Sequence, residues 1–295
     1  MQASWMVLAS LLFATMSVCI KYASAHFDTF ELVCYRGAIG VLIMGALCRK
    51  QGVPLATPVP MMHVWRTVVG VTSLAAWFYA IAHLPLATAM TLNYMSGIWV
   101  AVFLIGSTLV MGKLQDASKQ GPMVLTLLAG FAGVVLILRP TIEQNQLFAG
   151  LIGLMSGLVS ALAYMQVAAL GRMGEPEART VFYFSLGACV TGALCMLFTG
   201  VSAWTWPEAL WLLPIGVLAA LGQLCMTWAY TSGATLVAAN LQYSGIVFSA
   251  LYGLFLFGDT LSVLGWSGMG LIIASGIAAT ALRNRSLPNP PAEEY

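Results

Sequence analysis

The sequence predicts an all-α integral membrane protein with ten transmembrane helices, arranged as two inverted five-helix repeats. Three observations predict this class. Hydrophobic residues make up 60% of the chain and charged residues 7%, and the mean hydropathy is +0.89, outside the range of a soluble domain. Residues 67–112 and 209–258 contain no Asp, Glu, Lys or Arg. The same landmarks recur in both stretches, which indicates a duplication.

The repeated landmarks are an aromatic pair, a polar-aromatic pair and a Ser-Gly-Ile tripeptide, in the same order. Differences in spacing are small enough for insertions in turns to absorb. The landmarks are Trp77 with Tyr79, Asn93-Tyr94 and Ser96-Gly97-Ile98 in the first stretch, and Trp228 with Tyr230, Gln242-Tyr243 and Ser244-Gly245-Ile246 in the second.

Apolar runs between polar or Gly/Pro breaks define the predicted helices. A span needs about 20 mostly apolar residues, and its backbone must satisfy its own hydrogen bonds in lipid. No Lys or Arg precedes the first run, so residues 1–25 are predicted to be a retained helix and not a signal peptide. The predicted spans are residues 3–23, 30–48, 61–82, 87–111, 120–138, 148–171, 180–199, 208–230, 235–257 and 262–282.

Basic residues in the connections predict the orientation, because cytoplasmic loops are enriched in Lys and Arg. With the N-terminus inside, eight of them are cytoplasmic (Arg49, Lys50, Lys113, Lys119, Arg172, Arg179, Arg283 and Arg285) and two are outside (Lys21 and Arg139). The protein is therefore predicted to lie in the inner membrane with both termini on the cytoplasmic side. Because each half has five spans, an odd number, the second half is predicted to cross the membrane in the opposite orientation to the first. The predicted units are a first repeat at 1–140, a second repeat at 147–283 and a cytoplasmic tail at 284–295.

Two segments resemble the drug/metabolite transporter superfamily, and within it the ten-helix EamA-type carriers. They are residues 82–89, Ala-His-Leu-Pro-Leu-Ala-Thr-Ala, and residues 256–262, Leu-Phe-Gly-Asp-Thr-Leu-Ser. The resemblance extends over residues 3–283. Where the family often has proline in the fourth and ninth helices, this chain has Gly97 and Gly245, which permit a bend but do not impose one. The resemblance implies a carrier that moves small organic metabolites, often outward, by alternating access.

Two arginines lie inside predicted spans, where a charge is costly unless it faces water or a partner. Arg36 either holds an anionic group of a substrate, such as a carboxylate, or snorkels outward or pairs with Asp28 or Glu31. Arg66 lies one turn from the predicted cytoplasmic end of the third span, so it is predicted to be a positive-inside anchor.

Polar and aromatic side chains within the spans are the other candidates for a binding site. The third span carries Arg66, Gly70, Ser73 and Trp77 on one stripe, and the sixth carries Ser156, Ser160 and Tyr164. The serines are predicted to be packing contacts. The side-chain amides of the two recurring polar-aromatic pairs, Asn93 and Gln242, need hydrogen-bond partners, which either a hydrated site or a neighbouring helix supplies. Four aromatic residues near helix ends either contact a substrate or belong to the aromatic belt at the membrane interface: Trp77, Tyr79, Trp228 and Tyr230. The predicted substrate-binding residues are Arg36, Trp77, Tyr79, Asn93, Tyr94, Tyr164, Trp228, Gln242 and Tyr243.

Missing residue types narrow the function. No Asp or Glu lies deep within a predicted span, which disfavours cationic substrates and a carboxylate proton relay. No P-loop is present, which disfavours coupling to ATP. The six cysteines lack metal-ligand spacing, so neither a metal site nor a disulfide framework is predicted. No catalytic residue, cofactor or nucleic-acid contact is predicted, and the partners are a small metabolite and the lipid bilayer.

The predicted function is that of a secondary transporter, not an enzyme. Its substrate is predicted to be an amino acid-like, zwitterionic, anionic or aromatic metabolite, and its direction export. A vitamin-like carrier of the riboflavin type and a carrier of nucleoside-derived metabolites are alternatives within this class. A membrane receptor or assembly subunit that transports nothing is the alternative from another class.

Overall fold

Helices make up nearly all of the structure, a computed structural model that describes residues 2–84, 86–110, 121–138, 146–204, 206–231, 235–256 and 262–286. In the first half the helices are α1 Gln2–Ala23, α2 Thr29–Lys50, α3 Pro60–His83, α4 Leu86–Tyr94, α5 Ser96–Val110 and α6 Gly121–Leu138. In the second half they are α7 Leu147–Arg172, α8 Glu177–Thr199, α9 Trp206–Ala209, α10 Leu212–Thr231, α11 Thr235–Leu241, α12 Ser244–Leu256 and α13 Val263–Ser286.

The helices follow the predicted apolar segments, and several of them can cross a bilayer. Within the described residues, six are long and apolar enough, and Ser4–Ile20 and Gly121–Ile137 are shorter apolar helices. The protein is therefore a multi-pass membrane protein, while the count of ten crossings stays a prediction. The six are Thr29–Lys50, Ala89–Ser107, Leu147–Arg172, Glu177–Thr199, Trp206–Thr231 and Val263–Leu282.

Some predicted boundaries differ or lie outside the described residues. The last helix continues through Ser286, beyond the predicted end of the second repeat at residue 283. Residues 287–295 of the predicted tail are outside the described residues. So are Lys113, Lys119, Arg139 and most of the second family segment, residues 257–261.

A capping box begins α2 and engages both acidic residues near Arg36. Asp28 accepts a hydrogen bond from the backbone N–H of Phe30 at 3.0 Å, and Glu31 accepts one from the backbone N–H of Asp28 at 2.8 Å. Glu31 is fully buried and also accepts from the backbone N–H of Ser202 at 2.8 Å. The carboxylates thus accept hydrogen bonds from backbone N–H groups that have no partner within the helix, and Glu31 connects the start of α2 to the segment before α9.

Helices from opposite halves form the closest packing in the bundle. The most extensive contacts pair α2 with α8, α6 with α13, α1 with α10 and α3 with α7. Glycine lets the backbones meet: a Cβ at Gly37 would lie 2.6 Å from the backbone N of Cys189, and one at Gly192 would lie 2.7 Å from the backbone N of Cys34. Small residues at such crossings are the usual basis of helix association in lipid.

Both halves contain an irregular helix at the polar-aromatic pair that recurs in the sequence. Met95 forms an irregular turn between α4 and α5. Its N–H is shared between the carbonyls of Thr91 at 3.2 Å and Leu92 at 3.3 Å, while the N–H of Trp99 donates to Met95 at 3.0 Å, so the span Ala89–Ser107 continues through this turn. Gln242 and Tyr243 separate α11 from α12, and the N–H of Tyr243 donates to Asn240 at 3.1 Å. The chain therefore interrupts the regular helix at both places without proline, close to Gly97 and Gly245.

A buried ionic cluster ties the α2–α3 connection to the start of α8. Arg179 donates to Glu175 at 2.8 Å and to the carbonyls of Pro54 at 2.9 Å and Ala56 at 2.7 Å. Glu175 also accepts from Thr57 at 2.7 Å and lies 3.1 Å from Nε2 of His63. Burial alone would raise the pKa of the Glu175 carboxyl, but the hydrogen bonds from Thr57, Arg179 and His63 lower it below its ordinary value.

The lowered pKa of Glu175 predicts an acid-sensitive stability. The ionised carboxylate stabilises the folded state above the ordinary carboxyl pKa of 4.5, and this contribution is lost as the pH falls through the lower pKa of the folded state. We expect Glu175→Gln to lower the melting temperature at neutral pH and to flatten its fall on acidification. Thermal unfolding in detergent across pH measures both effects. Glu177→Gln is the control, because Glu177 accepts one 3.3 Å hydrogen bond from Thr231; equal pH profiles of the two variants would contradict the prediction.

Candidate functional site

A cavity of about 170 Å³, lined by polar and apolar side chains, lies between the two halves. Helices α1, α2, α3, α4, α7, α8, α10 and α12 and the α11–α12 interruption contribute to its wall. No Asp or Glu is among the described residues that line it. Its charged and polar lining includes Arg36, Arg66, Asn93, Tyr94, Tyr164 and Gln242.

Most of the predicted binding residues line this cavity, and three lie elsewhere. Arg36, Trp77, Asn93, Tyr94, Tyr164 and Gln242 line it. Tyr79, Trp228 and Tyr243 are not among its lining residues, so the structure does not place these three in the candidate site.

Helix geometry and packing account for the three exceptions. Tyr79 is two positions from Trp77, which turns it about 200° around the helix; it is 38% exposed and stacks on His83 with ring centroids 4.1 Å apart. Trp228 packs against Trp5 at 4.6 Å between centroids. Tyr243 is fully buried in an apolar cluster.

The two duplicated amides both line the cavity and bond to other helices. Asn93 donates from Nδ2 to the hydroxyls of Ser156 at 3.2 Å and Ser160 at 3.4 Å. Oε1 of Gln242 accepts from the Tyr230 hydroxyl at 3.2 Å. These bonds hold the amides in place at the cavity wall, so interhelical bonding and cavity lining, which the sequence left as alternatives, occur together.

Serines predicted to be packing residues also reach the cavity. Ser73 and Ser160 both line it, and their hydroxyls share a hydrogen bond. Ser73 also donates to the backbone carbonyl of Ser156 at 3.1 Å. These serines therefore connect α3 to α7, and Ser73 and Ser160 also contribute polar groups to the cavity wall.

Arg36 does not form the ion pairs that the sequence left open. Asp28 and Glu31 are engaged in the α2 cap, and Arg36 lines the cavity. Within the described residues its guanidinium makes no hydrogen bond or ion pair. A guanidinium in an apolar span needs water or an anion, and the cavity is the space beside Arg36 that can hold one.

The prediction that Arg66 is a positive-inside anchor is wrong, because its side chain is 4% exposed and lines the cavity. Its guanidinium carbon lies 4.3 Å from the centroid of the Phe184 ring. Nε and Nη1 are buried and have no hydrogen-bond partner in the described residues. The stripe of Arg66, Gly70, Ser73 and Trp77, visible in the sequence, was the signal that all four residues face one place.

A tyrosine from each interrupted helix fits against a glycine of the other half. A Cβ at Gly245 would lie 2.9 Å from the hydroxyl oxygen of Tyr94, and one at Gly97 would lie 2.6 Å from that of Tyr243. The two tyrosine rings are 6.2 Å apart between centroids. The interruptions of the two halves therefore meet next to the cavity and interlock through two equivalent contacts.

Comparisons with known proteins agree with this architecture. No protein-family model matches the chain. A crystal structure of a protein with 19% sequence identity has a TM-score of 0.80 and covers 96% of this chain and 98% of that one, which shows a shared fold. A riboflavin transporter of Rhizobium johnstonii is 23% identical over 278 residues, covering 93% of this chain and 89% of that protein.

A closer similarity identifies the family. The pseudopaline exporter CntI of Pseudomonas aeruginosa strain UCBPP-PA14 is 33% identical over 273 residues, which cover 92% of this chain and 93% of that protein. Identity at this level over nearly the full length of both proteins implies a common fold and a common origin. The chain belongs to the family of membrane transporters that includes the pseudopaline exporter CntI.

Proposed function

We propose that the protein is a secondary transporter that exports a small organic metabolite with an anionic group across the inner membrane by alternating access. The observation that carries the proposal is Arg36, a cation without a protein partner in the described residues that lines the cavity between the halves. No acidic residue among the described cavity residues competes with a substrate anion for it. The drug/metabolite transporter superfamily is the wider group that we propose for the chain.

The packing of the helices supports an inverted repeat. Exchanging the two halves would map α1 on α7, α2 on α8, α3 on α10 and α6 on α13. This exchange converts the α1–α10 pair into the α3–α7 pair and leaves the α2–α8 and α6–α13 pairs in place, and these are the four most extensive pairs. Alternating access uses such symmetry, because each half can take the conformation of the other around a fixed site.

The remaining cavity residues suit an amino acid-like or aromatic metabolite. Amides and hydroxyls can bond to amino, hydroxyl or carbonyl groups of a substrate, and Trp77, Tyr94 and Tyr164 can contact an apolar or aromatic portion. The aromatic side chains also favour a second candidate, a riboflavin-type carrier, and a relative at 23% identity has the name of a riboflavin transporter. Relatives named as transporters disfavour a receptor or assembly subunit.

Proteoliposomes containing the purified protein test the proposal. Labelled amino acids, organic acids, riboflavin, nucleosides and organic cations are loaded inside or outside, and their movement is compared with that in protein-free liposomes. We expect saturable movement of an anionic or zwitterionic compound and none of the cations. Movement of cations alone, or of no compound, would contradict the proposal. Inside-out and right-side-out vesicles from cells then give the direction, with the predicted cytoplasmic termini as the orientation marker.

A further inference from the structure

We propose that the substrate carries two separate anionic groups, one bound by Arg36 and the other by Arg66. This inference rests on the proposed function. Arg36 and Arg66 both line the same cavity but come from different helices, α2 and α3. A monoanion could neutralise one of these charges, while a dianion neutralises both. The cavity therefore selects diacids, or amino acid derivatives with a second acidic group, over their singly charged analogues.

The Phe184 ring covers one face of the Arg66 guanidinium, and two of the buried donors in the guanidinium plane have no acceptor in the described residues. The ring lies 4.3 Å from the guanidinium carbon and is itself 6% exposed. A cation–π contact of this kind uses the charge and the face of the cation. Hydrogen bonds of a guanidinium lie in its plane, and two of the nitrogens, Nε and Nη1, have no hydrogen-bond acceptor in the described residues.

Gly70 provides the space in which Arg66 lies. It is one helical turn after Arg66, and a Cβ there would collide with Nη1. The local sequence therefore accommodates a guanidinium turned inward from α3. An arginine that served only as an anchor for the membrane surface would extend toward the helix end, where water solvates it.

The described protein groups around the cavity do not balance the two charges. Glu31 is bonded to the α2 cap and to Ser202, and Glu175 to Arg179 and Thr57. A buried cation without a partner is strongly unfavourable, and acidic groups on a ligand remove that cost. A planar carboxylate matches the paired N–H groups of a guanidinium and gives a strong, directional contact.

Matched acids test the inference on the purified, full-length transporter. The probes are succinate, glutarate and adipate, each compared with its own monoamide, which has similar size and polarity but one charge fewer. Binding is measured by isothermal titration in detergent and by inhibition of transport. We expect at least one diacid to bind about tenfold or more tightly than its monoamide. Failure of every diacid to bind more tightly than its monoamide would overturn the inference.

Variants connect the preference to Arg66. In Arg66→Gln the affinity for the diacid should fall to that of the monoamide, while the affinity for the monoamide stays the same, and Arg66→Lys should keep part of the difference. Arg172→Gln, which removes an exposed charge at the end of α7, is the matched control. A preference for diacids that survives in Arg66→Gln would also overturn the inference. If Arg66→Gln does not fold, the comparison of Arg66→Lys with the wild type gives the same decision.

The outcome also separates this inference from the proposed function. Transport of monoanions that depends on Arg36, with no preference for diacids, would reject the inference and leave the proposed function in place. A protein that moves no acid of either charge would reject both.

Discussion

Arg36→Ala is expected to lower transport by about tenfold or more while leaving membrane abundance near the wild-type level. A hydrogen bond to a charged group contributes about 1.5–3 kcal/mol, which corresponds to roughly a ten- to hundredfold change in binding. Arg36 lines the cavity and makes no ion pair within the described residues, so its loss breaks no interhelical bond there. Initial rates in proteoliposomes, normalised to the amount of reconstituted protein, measure the effect.

Two further variants make the interpretation specific. Arg36→Lys keeps the charge but loses the planar pair of donors, so we expect partial recovery of transport. Arg49→Ala removes an exposed charge from the other end of the same helix and should transport normally. Wild-type rates in Arg36→Ala at equal abundance would show that Arg36 is a structural cation and would remove the main support for an anionic substrate.

Gly37→Ala is expected to destabilise the folded protein by about 1–3 kcal/mol, the usual cost of overpacking. The added Cβ would lie 2.6 Å from the backbone N of Cys189 and 2.8 Å from the carbonyl oxygen of Ser185. Backbone atoms cannot rotate away as a side chain can, so α2 and α8 must separate. Thermal unfolding and the yield of monodisperse protein in detergent measure the loss.

A second glycine on α2 is the matched control. A Cβ at Gly45 would lie 3.5 Å from the nearest ring atom of Phe182, which is an ordinary van der Waals distance. Gly45→Ala should therefore have wild-type stability, or slightly more because alanine favours helix. Equal melting temperatures for the two variants would mean that the α2–α8 contact does not limit stability.

Hydropathy was sufficient for the helical segments but not for the direction of every side chain. The broad fold follows from composition, because apolar runs in lipid must be helical when they satisfy their own backbone. The interruptions at Met95 and at Gln242-Tyr243 were less accessible to prediction. Glycine nearby permits such a break, whereas proline would have required one.

The candidate site shows the same limit. Hydropathy places Arg66 near a helix end, where a long side chain can extend toward water or turn inward. The choice depends on Phe184, which belongs to the other half and whose position relative to α3 no local pattern reveals. Tyr79 and Trp228 recur in the repeat together with residues that line the cavity, but recurrence does not distinguish the inner face of a helix from its outer face.

The interlocking of Tyr94 with Gly245, and of Tyr243 with Gly97, constrains how the two halves of this chain can diverge. Each half supplies a hydroxyl that occupies the space left by a missing side chain in the other half. A larger residue at either glycine must displace the tyrosine side chain that contacts it, and this tyrosine lies in the opposite half, far away in the sequence. Substitutions at these four positions are therefore coupled between the two halves of the chain.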